Sequence, residues 1–314
     1  MPSLDKISKK VDAIAEAYEA KVKRSHAVDV PTDPVEWGAQ LSITWDPWQL
    51  SVLNKLEDSQ KNHTPLRVCI PASRQIGKDY CLAACLLMHA ETTKNAVCLS
   101  IGPSLRQSSL LMRRVYQFYH AQGSSAPKAV SEQQTQLKLA NGSYILSLPS
   151  SEQTVRGVSS VSLLVLNECA SLEEPLIYAL TPMLSTVPDS RIFAAGTPRG
   201  KSGFFYETCK GAPENGWTKY EIKATDCKRI TPEWLDEERQ RLGPFFDREY
   251  MVSWGSIGAG SIFSEAAMKR CIVDRDVSLE RRINAALDGT YEADYENEDT
   301  EDDFGFDNLN IEGI

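Results

Sequence analysis

The stretch that decides the fold is LRVCIPASRQIGKDY, residues 66–80. It begins with a short apolar run, passes through a loop that ends in Gly77-Lys78, and leads into a helical pattern that runs through Met88. A strand that feeds a loop at the start of a helix is the setting in which backbone N–H groups and a lysine bind phosphate. The sequence therefore predicts a phosphate-binding loop.

Two positions of this loop depart from the usual pattern, which is Gly, four residues, Gly-Lys and then Ser or Thr. Ala72 stands in place of the first glycine, and Asp79 in place of the hydroxyl residue that ordinarily binds Mg²⁺. The spacing still fits a nucleotide-binding loop. Its candidate residues are Ser73, Arg74, Gln75, Ile76, Gly77, Lys78 and Asp79.

The composition is that of an ordinary globular protein, with 314 residues and 42% hydrophobic content. Since single cores rarely exceed about 250–300 residues, we expect one large α/β core or two smaller domains. No apolar run approaches the roughly 20 residues that span a bilayer, and the N-terminus alternates charges instead of presenting a secretory segment. The eight cysteines include no C-x-x-C pair. We therefore expect a cytoplasmic protein with reduced, buried thiols.

The negative charge is concentrated at the C-terminus. Residues 283–314 hold eleven Asp and Glu residues and no Lys or Arg, so the net charge of −9 becomes +2 without them. The body of the protein can therefore accept DNA. We expect 285–314 to be a disordered acidic tail, preceded by a linker at 256–284.

The first 44 residues are predicted to form an N-terminal helix and an arm. Residues 4–24 have apolar positions at helical spacing, and this amphipathic helix either packs on its own domain or docks a partner subunit. Residues 27–44 are rich in Pro and turn formers and are expected to be extended. The main domain then covers 45–255.

A tryptophan-rich segment precedes the phosphate loop: Trp45-Asp46-Pro47-Trp48-Gln49-Leu50. The edge of adenine shows a hydrogen-bond donor beside an acceptor, and an amide side chain matches both. Gln49, at the start of a helix before the loop, is therefore a candidate to recognise adenine, with Trp45 or Trp48 stacked on the base. The alternative is a surface residue beside two core tryptophans.

Strands and helices alternate after the loop. A helix at 80–90, a strand at 96–100 and a helix at 105–120 give the βαβ rhythm of a parallel sheet. The second helix carries Arg106, Arg113 and Arg114, which form either a solvated face or a DNA contact. Residues 136–148 alternate around Asn141-Gly142 and predict a hairpin.

Two later strands end in polar residues that can complete a nucleotide site. The apolar run 161–166 ends in Asn167-Glu168, where a buried strand delivers acids to the carboxyl edge of a sheet. Asn167 replaces the first acid, so Glu168 is the remaining one. A helix at 173–185 and a strand at 191–195 lead into Gly196-Thr197-Pro198, which is either a γ-phosphate sensor or an ordinary turn.

The order of these motifs resembles the ATPase domain of viral large terminase subunits, the motors that drive double-stranded DNA into capsids. The resemblance covers about residues 40–255. The matching pieces are Trp45–Gln49, Ser73–Lys78, Arg156-Gly157, Leu163–Glu168, Gly196-Thr197-Pro198, Gly203–Tyr206 and Phe246–Tyr250.

The resemblance implies a P-loop NTPase of RecA/ASCE type, with a mostly parallel sheet flanked by helices, and a Mg²⁺-dependent, ATP-hydrolysing motor of bacteriophage DNA packaging. Lys78 would contact the β- and γ-phosphates, Glu168 would polarise the attacking water, and Thr197 would couple hydrolysis to movement. Arg74 or Arg156 would be the arginine finger, in cis or from a neighbouring subunit. The implied partners are double-stranded DNA, a portal, a small terminase subunit and further copies in a ring.

Asp79 and Asn167 interchange the residue types that the family pattern expects around the metal. An Asn167 amide can donate to an Asp79 carboxylate, and Asp79 can itself bind Mg²⁺. The sequence thus leaves two alternatives. One is an active ATPase in which Asp79 and Asn167 exchange the usual residue types around the metal, and the other is a degenerate nucleotide-binding scaffold.

Large terminases also carry a nuclease, and about 50 residues remain after residue 262. Residues 285–289 resemble its first strand, but the acid run after them is poor in core residues, so we expect no nuclease activity from this chain and leave open a separate nuclease. A helicase-like translocase would need a second RecA-like domain, for which the chain is too short.

Overall fold

A computed structural model describes residues 29–151, 157–212 and 215–255. The chain divides into two units, Met1–Gly260 and Ser261–Ile314, and every described residue lies in the first. The predicted N-terminal helix at 4–24, the linker at 256–284 and the acidic tail at 285–314 lie outside the described residues. In the described part, none of the helices combines the length and the apolar character that crossing a membrane requires.

An eight-stranded sheet forms the centre of the fold, in the order β3-β4-β5-β2-β6-β7-β1-β8. Neighbouring strands in the segment β5-β2-β6-β7-β1-β8 pair in parallel. The remaining segment, β3-β4-β5, is an antiparallel edge. The strands are β1 (Leu66–Pro71), β2 (Val97–Gly102), β3 (Ala129–Gln133), β4 (Gln136–Leu139), β5 (Tyr144–Pro149), β6 (Leu163–Asn167), β7 (Arg191–Gly196) and β8 (Thr218–Lys219). The predicted mostly parallel sheet is confirmed.

Helices cover both faces of this sheet. They are α1 (Pro34–Gln40), α2 (Pro47–Asn62), α3 (Lys78–Thr92), α4 (Leu105–Gln122), α5 (Glu174–Leu180), α6 (Phe204–Lys210), α7 (Pro232–Leu242) and α8 (Phe246–Tyr250). Side chains of β6 alternate between two cores, with Val165 packed in the cluster of α1–α4 and Leu164 in the cluster of α5 and α6. Because helices cover both faces of the sheet, every side chain of β6 is buried on one side or the other, and the strand is therefore a continuous apolar run.

The strand order brings three strand ends together. β7 lies between β1 and β6, and all three strands run in parallel. Their carboxyl ends therefore meet at one edge of the sheet, which is where open α/β sheets bind ligands. The predicted hairpin also forms, because Gly142 adopts φ +86 and the Asn141 side chain accepts from the N–H of Ser143 at 3.0 Å.

Two local predictions need correction, and the sequence does not predict one of the strands. The extended arm at 27–44 is wrong over Pro34–Gln40, where Asp33 caps the N–H groups of a short helix and Pro34 occupies its first turn. That helix buries Trp37 against Trp45, a gain that local composition does not reveal. The sequence also predicts a strand over residues 218–224, but only Thr218–Lys219 pair as one, and the sequence does not predict β3.

A buried carboxyl makes the stability of this fold pH-dependent. Glu91 in α3 accepts from Trp37 Nε1 at 2.9 Å and from Gln122 Nε2 at 3.0 Å. Burial raises its pKa from 4.5 to about 7, against the opposing effect of these two donors. The folded protein therefore holds a proton that the unfolded chain releases, so this contribution to stability is lost as pH rises from about 4.5 to about 7.

We expect Glu91→Gln to reduce the fall in the free energy of unfolding between about pH 5 and about pH 8, because the amide does not ionise. Urea denaturation at both pH values measures this difference in the free energy of unfolding. The exposed Glu36→Gln serves as the matched control and should behave like the parent. Equal pH dependence in the Glu91 variant and the parent would show that Glu91 titrates normally.

Candidate nucleotide-binding site

A large cleft opens at the edge where β1, β6 and β7 end. Its volume is about 1380 Å³, more than the roughly 300–1,000 Å³ of an ordinary ligand pocket. The loop after β1, Glu168 after β6, Thr197 after β7 and two residues of α8, Arg248 and Glu249, all line it. The topology therefore brings to one place most of the side chains that the sequence singles out.

The phosphate loop is shaped by two residues with left-handed backbone and held by two neighbouring segments. Gln75 has φ +58 and Gly77 has φ +94, a conformation that favours glycine. The N–H of Ser73 donates to the carbonyl of Ile222 at 2.9 Å, and that of Arg74 to the carbonyl of Glu249 at 3.1 Å. Gly77 leads directly into α3, whose first N–H groups have no carbonyl partner within the helix.

Lys78 joins this loop to the loop after β7. Its Nζ donates to the carbonyl of Ser73 at 3.0 Å and to Thr197 Oγ1 at 3.4 Å. Burial lowers the pKa of Lys78, and the nearby carboxylates of Glu168 and Asp79 act in the opposite direction. A buried ammonium at a helix start is a strong attractor for a phosphate anion.

Glu168 lines the cleft from a strained backbone position. It has φ +51, which is costly for a residue with a Cβ. Asn167 is buried, and its Oδ1 accepts from the N–H of Glu168 at 3.0 Å, which holds this turn. Gly196 allows the turn to approach, because a Cβ there would lie 3.1 Å from the backbone nitrogen of Cys169.

Asp79 also lines the cleft, beside Lys78 in the first turn of α3. No hydrogen bond joins its carboxylate to Asn167 among the described residues, although the sequence suggested one. Asn167 is buried and is not among the described residues that line the cleft, and its side-chain oxygen accepts from the N–H of Glu168. Asp79 and Glu168 are thus two carboxylates in the cleft that act on Lys78 and could hold a cation.

Gln49 also lines the cleft, beside the phosphate loop. Its Oε1 accepts from the N–H of Asp46 at 3.0 Å and its Nε2 donates to the carbonyl of Gly77 at 3.3 Å. Trp45 stacks on Trp37 in the core, and Trp48 is half-buried against the same cluster. Neither tryptophan is among the described residues that line the cleft.

The two arginine-finger candidates have different positions. The Arg74 guanidinium, mostly exposed, pairs with the carboxylate of Glu249, which also accepts from Arg248 Nη2 at 2.9 Å. Burial raises the pKa of Glu249, but the hydrogen bonds from Arg248 and Arg74 outweigh it and lower the pKa overall. Arg156 lies outside the described residues, so its role stays a prediction.

Several residues that line the cleft lie outside the predicted site. Arg229, Arg248 and Glu249 come from the segment after β8, and Arg114 comes from α4. The resemblance includes the Phe246–Tyr250 segment but assigns none of its residues to the site, whereas Arg248 and Glu249 line the cleft. No local sequence signal marks Arg229, because its partners lie far away in the chain.

A family model described as terminase large subunit, T4-like-virus type, N-terminal, matches residues 69–270. This span is more than half of the chain and contains the phosphate loop, Glu168 and Thr197. No curated protein sequence matches at a significant level.

Among solved structures, the chain is similar to the large terminase ATPase domain of Thermus phage P74-26, with 16% identity and a TM-score of 0.58, over 71% of this chain and 99% of that one. The HK97 bacteriophage large terminase matches with 15% identity and a TM-score of 0.55, over 67% and 50% of the two chains. A large terminase of a thermophilic bacteriophage in complex with ADP matches with 13% identity and a TM-score of 0.55, over 67% and 54%. The chain thus spans about half of the two longer relatives, and these likenesses show the fold.

Proposed function

Because the chain belongs to the family of T4-like-virus-type large terminase subunits, through its N-terminal region, we propose that it is the ATP-hydrolysing motor domain that powers packaging of double-stranded viral DNA. The observation that carries this proposal is the meeting of Lys78, Thr197 and Glu168 in one cleft at the ends of β1, β7 and β6. A degenerate scaffold is not favoured, since the cleft keeps both the lysine and the acid.

The residues divide the chemistry of ATP hydrolysis between them. The helix start at Gly77 and the Lys78 ammonium bind the phosphates and neutralise charge on them. Glu168 orients and polarises the attacking water, and the hydrogen bond from its N–H to Asn167 helps to position it. Lys78 Nζ donates to Thr197 Oγ1, so a γ-phosphate that drew Lys78 away would break this bond and change the loop of Gly196, Thr197 and Pro198.

The donors in the cleft fit Mg²⁺. This cation commonly uses one or two carboxylates together with substrate phosphates and waters. Asp79 would hold it, with Glu168 near, whereas Asn167 supports the backbone of Glu168. When bound, Mg²⁺ supplies positive charge that stabilises the phosphoryl transition state. That a thermophilic phage large terminase has been solved with ADP and with ATP-γ-S supports nucleotide as the ligand of this fold.

The wider assignments are also part of the proposal. A packaging motor of this family would act on DNA in the cytoplasm of the host cell, with a portal, a small terminase subunit and further copies in a ring. Arg74, once released from Glu249, or Arg156 of a neighbouring copy would act as the arginine finger. The lack of nuclease activity stays a prediction, and incubation of the purified chain with DNA and a divalent cation tests it.

Phosphate release from ATP tests the function, with and without double-stranded DNA and with and without a chelator. We expect turnover that needs Mg²⁺ and increases with DNA. Packaging partners are added if the isolated chain is slow. Absence of ATP binding and of hydrolysis under all of these conditions would contradict the proposal.

A further inference from the structure

Arg229 links three segments around the cleft. Its guanidinium donates to Asp46 Oδ1 and Oδ2, at 2.8 Å each, and to the carbonyl of Ile76 at 3.2 Å. We infer that Arg229 is a positioning residue that holds the Gln49 amide in the orientation that selects adenine. The inference rests on the proposed function, because it concerns which nucleotide the ATPase site accepts.

The orientation of the Gln49 amide is determined by its two backbone partners. The N–H of Asp46 can only donate, and the carbonyl of Gly77 can only accept. The end of the amide near Asp46 must therefore be the oxygen, and the end near Gly77 must be the nitrogen. An amide turned by half a revolution would lose both hydrogen bonds.

A fixed amide distinguishes adenine from guanine. Each end of Gln49 keeps capacity for one more hydrogen bond, an acceptor at Oε1 and a donor at Nε2. Adenine presents the complementary pair, a donor at its amino group and an acceptor at N7. Guanine presents two acceptors at the corresponding edge, so the fixed oxygen would face another oxygen.

Arg229 acts on both partners of this amide. It bonds to the carboxylate of Asp46, whose N–H is one partner, and to the carbonyl of Ile76, the residue before Gly77. A Cβ on Gly77 would lie 2.8 Å from Gln49 Nε2 and 3.6 Å from Arg229 Nη2, so amide and guanidinium converge on the same glycine. Without the guanidinium, the start of α2 and the phosphate loop lose their charged link. The Asp46 N–H and the Gly77 carbonyl can then move apart, and the Gln49 amide can turn.

This link is expected to matter more for selection than for folding. The Arg229 side chain is 57% exposed and that of Asp46 is 21% exposed. Ion pairs as exposed as this one contribute little to stability. A change in nucleotide preference without a change in thermal stability is therefore the signature of a positioning role.

The test compares Arg229→Ala and Arg229→Lys with the parent in steady-state hydrolysis of ATP and of GTP. We expect the ratio of kcat/KM for ATP over GTP to fall about ten-fold in Arg229→Ala, mainly through KM, with a smaller loss in Arg229→Lys, which keeps the charge but not the fork. Arg241→Ala is the matched control, because Arg241 makes a two-bond pair with Glu238 on α7 and is not among the described residues that line the cleft. Its ratio should equal that of the parent.

An unchanged ratio of kcat/KM for ATP over GTP in Arg229→Ala would overturn the inference. A parallel rise of the KM values for ATP and GTP would also overturn it, because it would indicate a contact with phosphate or a general loosening of the site. If Arg229→Ala does not fold, Asp46→Asn weakens the same pair and must show the same loss, with retention of the ratio counting against the inference. A parent that hydrolyses neither nucleotide would instead contradict the proposed function, so the two failures are distinguishable.

Discussion

Lys78→Ala is expected to lower the affinity for ATP at least about 100-fold, because it removes a buried charge that would pair with phosphate. Lys78 is also the direct link between the phosphate loop and Thr197, through hydrogen bonds of 3.0 Å to Ser73 and 3.4 Å to Thr197. Hydrolysis should therefore be lost together with binding. Titration with a fluorescent ATP analogue measures the affinity, and phosphate release measures the hydrolysis.

Lys55→Ala is the matched control for this loss. Lys55 is an exposed lysine of α2 and is not among the described residues that line the cleft. It should bind ATP like the parent. Circular dichroism and thermal unfolding establish that the Lys78 variant is folded. Undiminished ATP affinity in a folded Lys78 variant would mean that the phosphates bind elsewhere.

Glu168→Gln is expected to lower kcat about 10²–10⁴-fold, the range typical for loss of a general base, while ATP still binds. The substitution keeps the size of the side chain and its αL backbone. It removes a negative charge from the phosphate end of the cleft, so the affinity for ATP should stay the same or increase. Single-turnover hydrolysis with bound ATP separates the chemical step from binding.

Glu173→Gln provides the comparison, since Glu173 is exposed and precedes α5. The other carboxylates among the described residues that line the cleft are Asp79 and Glu249. If Glu168→Gln hydrolyses ATP at the rate of the parent, the base is one of these two or lies outside the described residues. The corresponding Asp79→Asn and Glu249→Gln variants would then identify it.

Local patterns predicted much of the fold because their physical causes are local. The spacing from Ala72 to Lys78 marks a strand, a loop and a helix start, and the turn chemistry of Asn141-Gly142 marks a hairpin. The apolar runs before Asn167 and Gly196 are long enough for buried parallel strands. Since parallel strands share one carboxyl edge, the meeting of Lys78 and Glu168 followed from their order in the chain.

The contacts that shape the site were decided by the tertiary structure. Lys78 and Thr197 are 119 residues apart, and Arg74 and Glu249 are 175 apart. The strand order places the first pair together, and the packing of α8 against the phosphate loop places the second. Neither depends on a pattern that a short window of sequence can contain.

Asn167 and Arg229 show the division most clearly. The sequence alone shows that Asn167 replaces the first acid at the end of β6, so that Glu168 is the remaining one. Only the structure shows that the Asn167 side chain accepts a hydrogen bond from the backbone N–H of Glu168. Arg229 has no motif at all, and its partner Asp46 lies 183 residues away. Composition and periodicity determine which elements form, whereas the packing of those elements decides which side chains meet, because hydrogen bonds and ion pairs depend on distance in space.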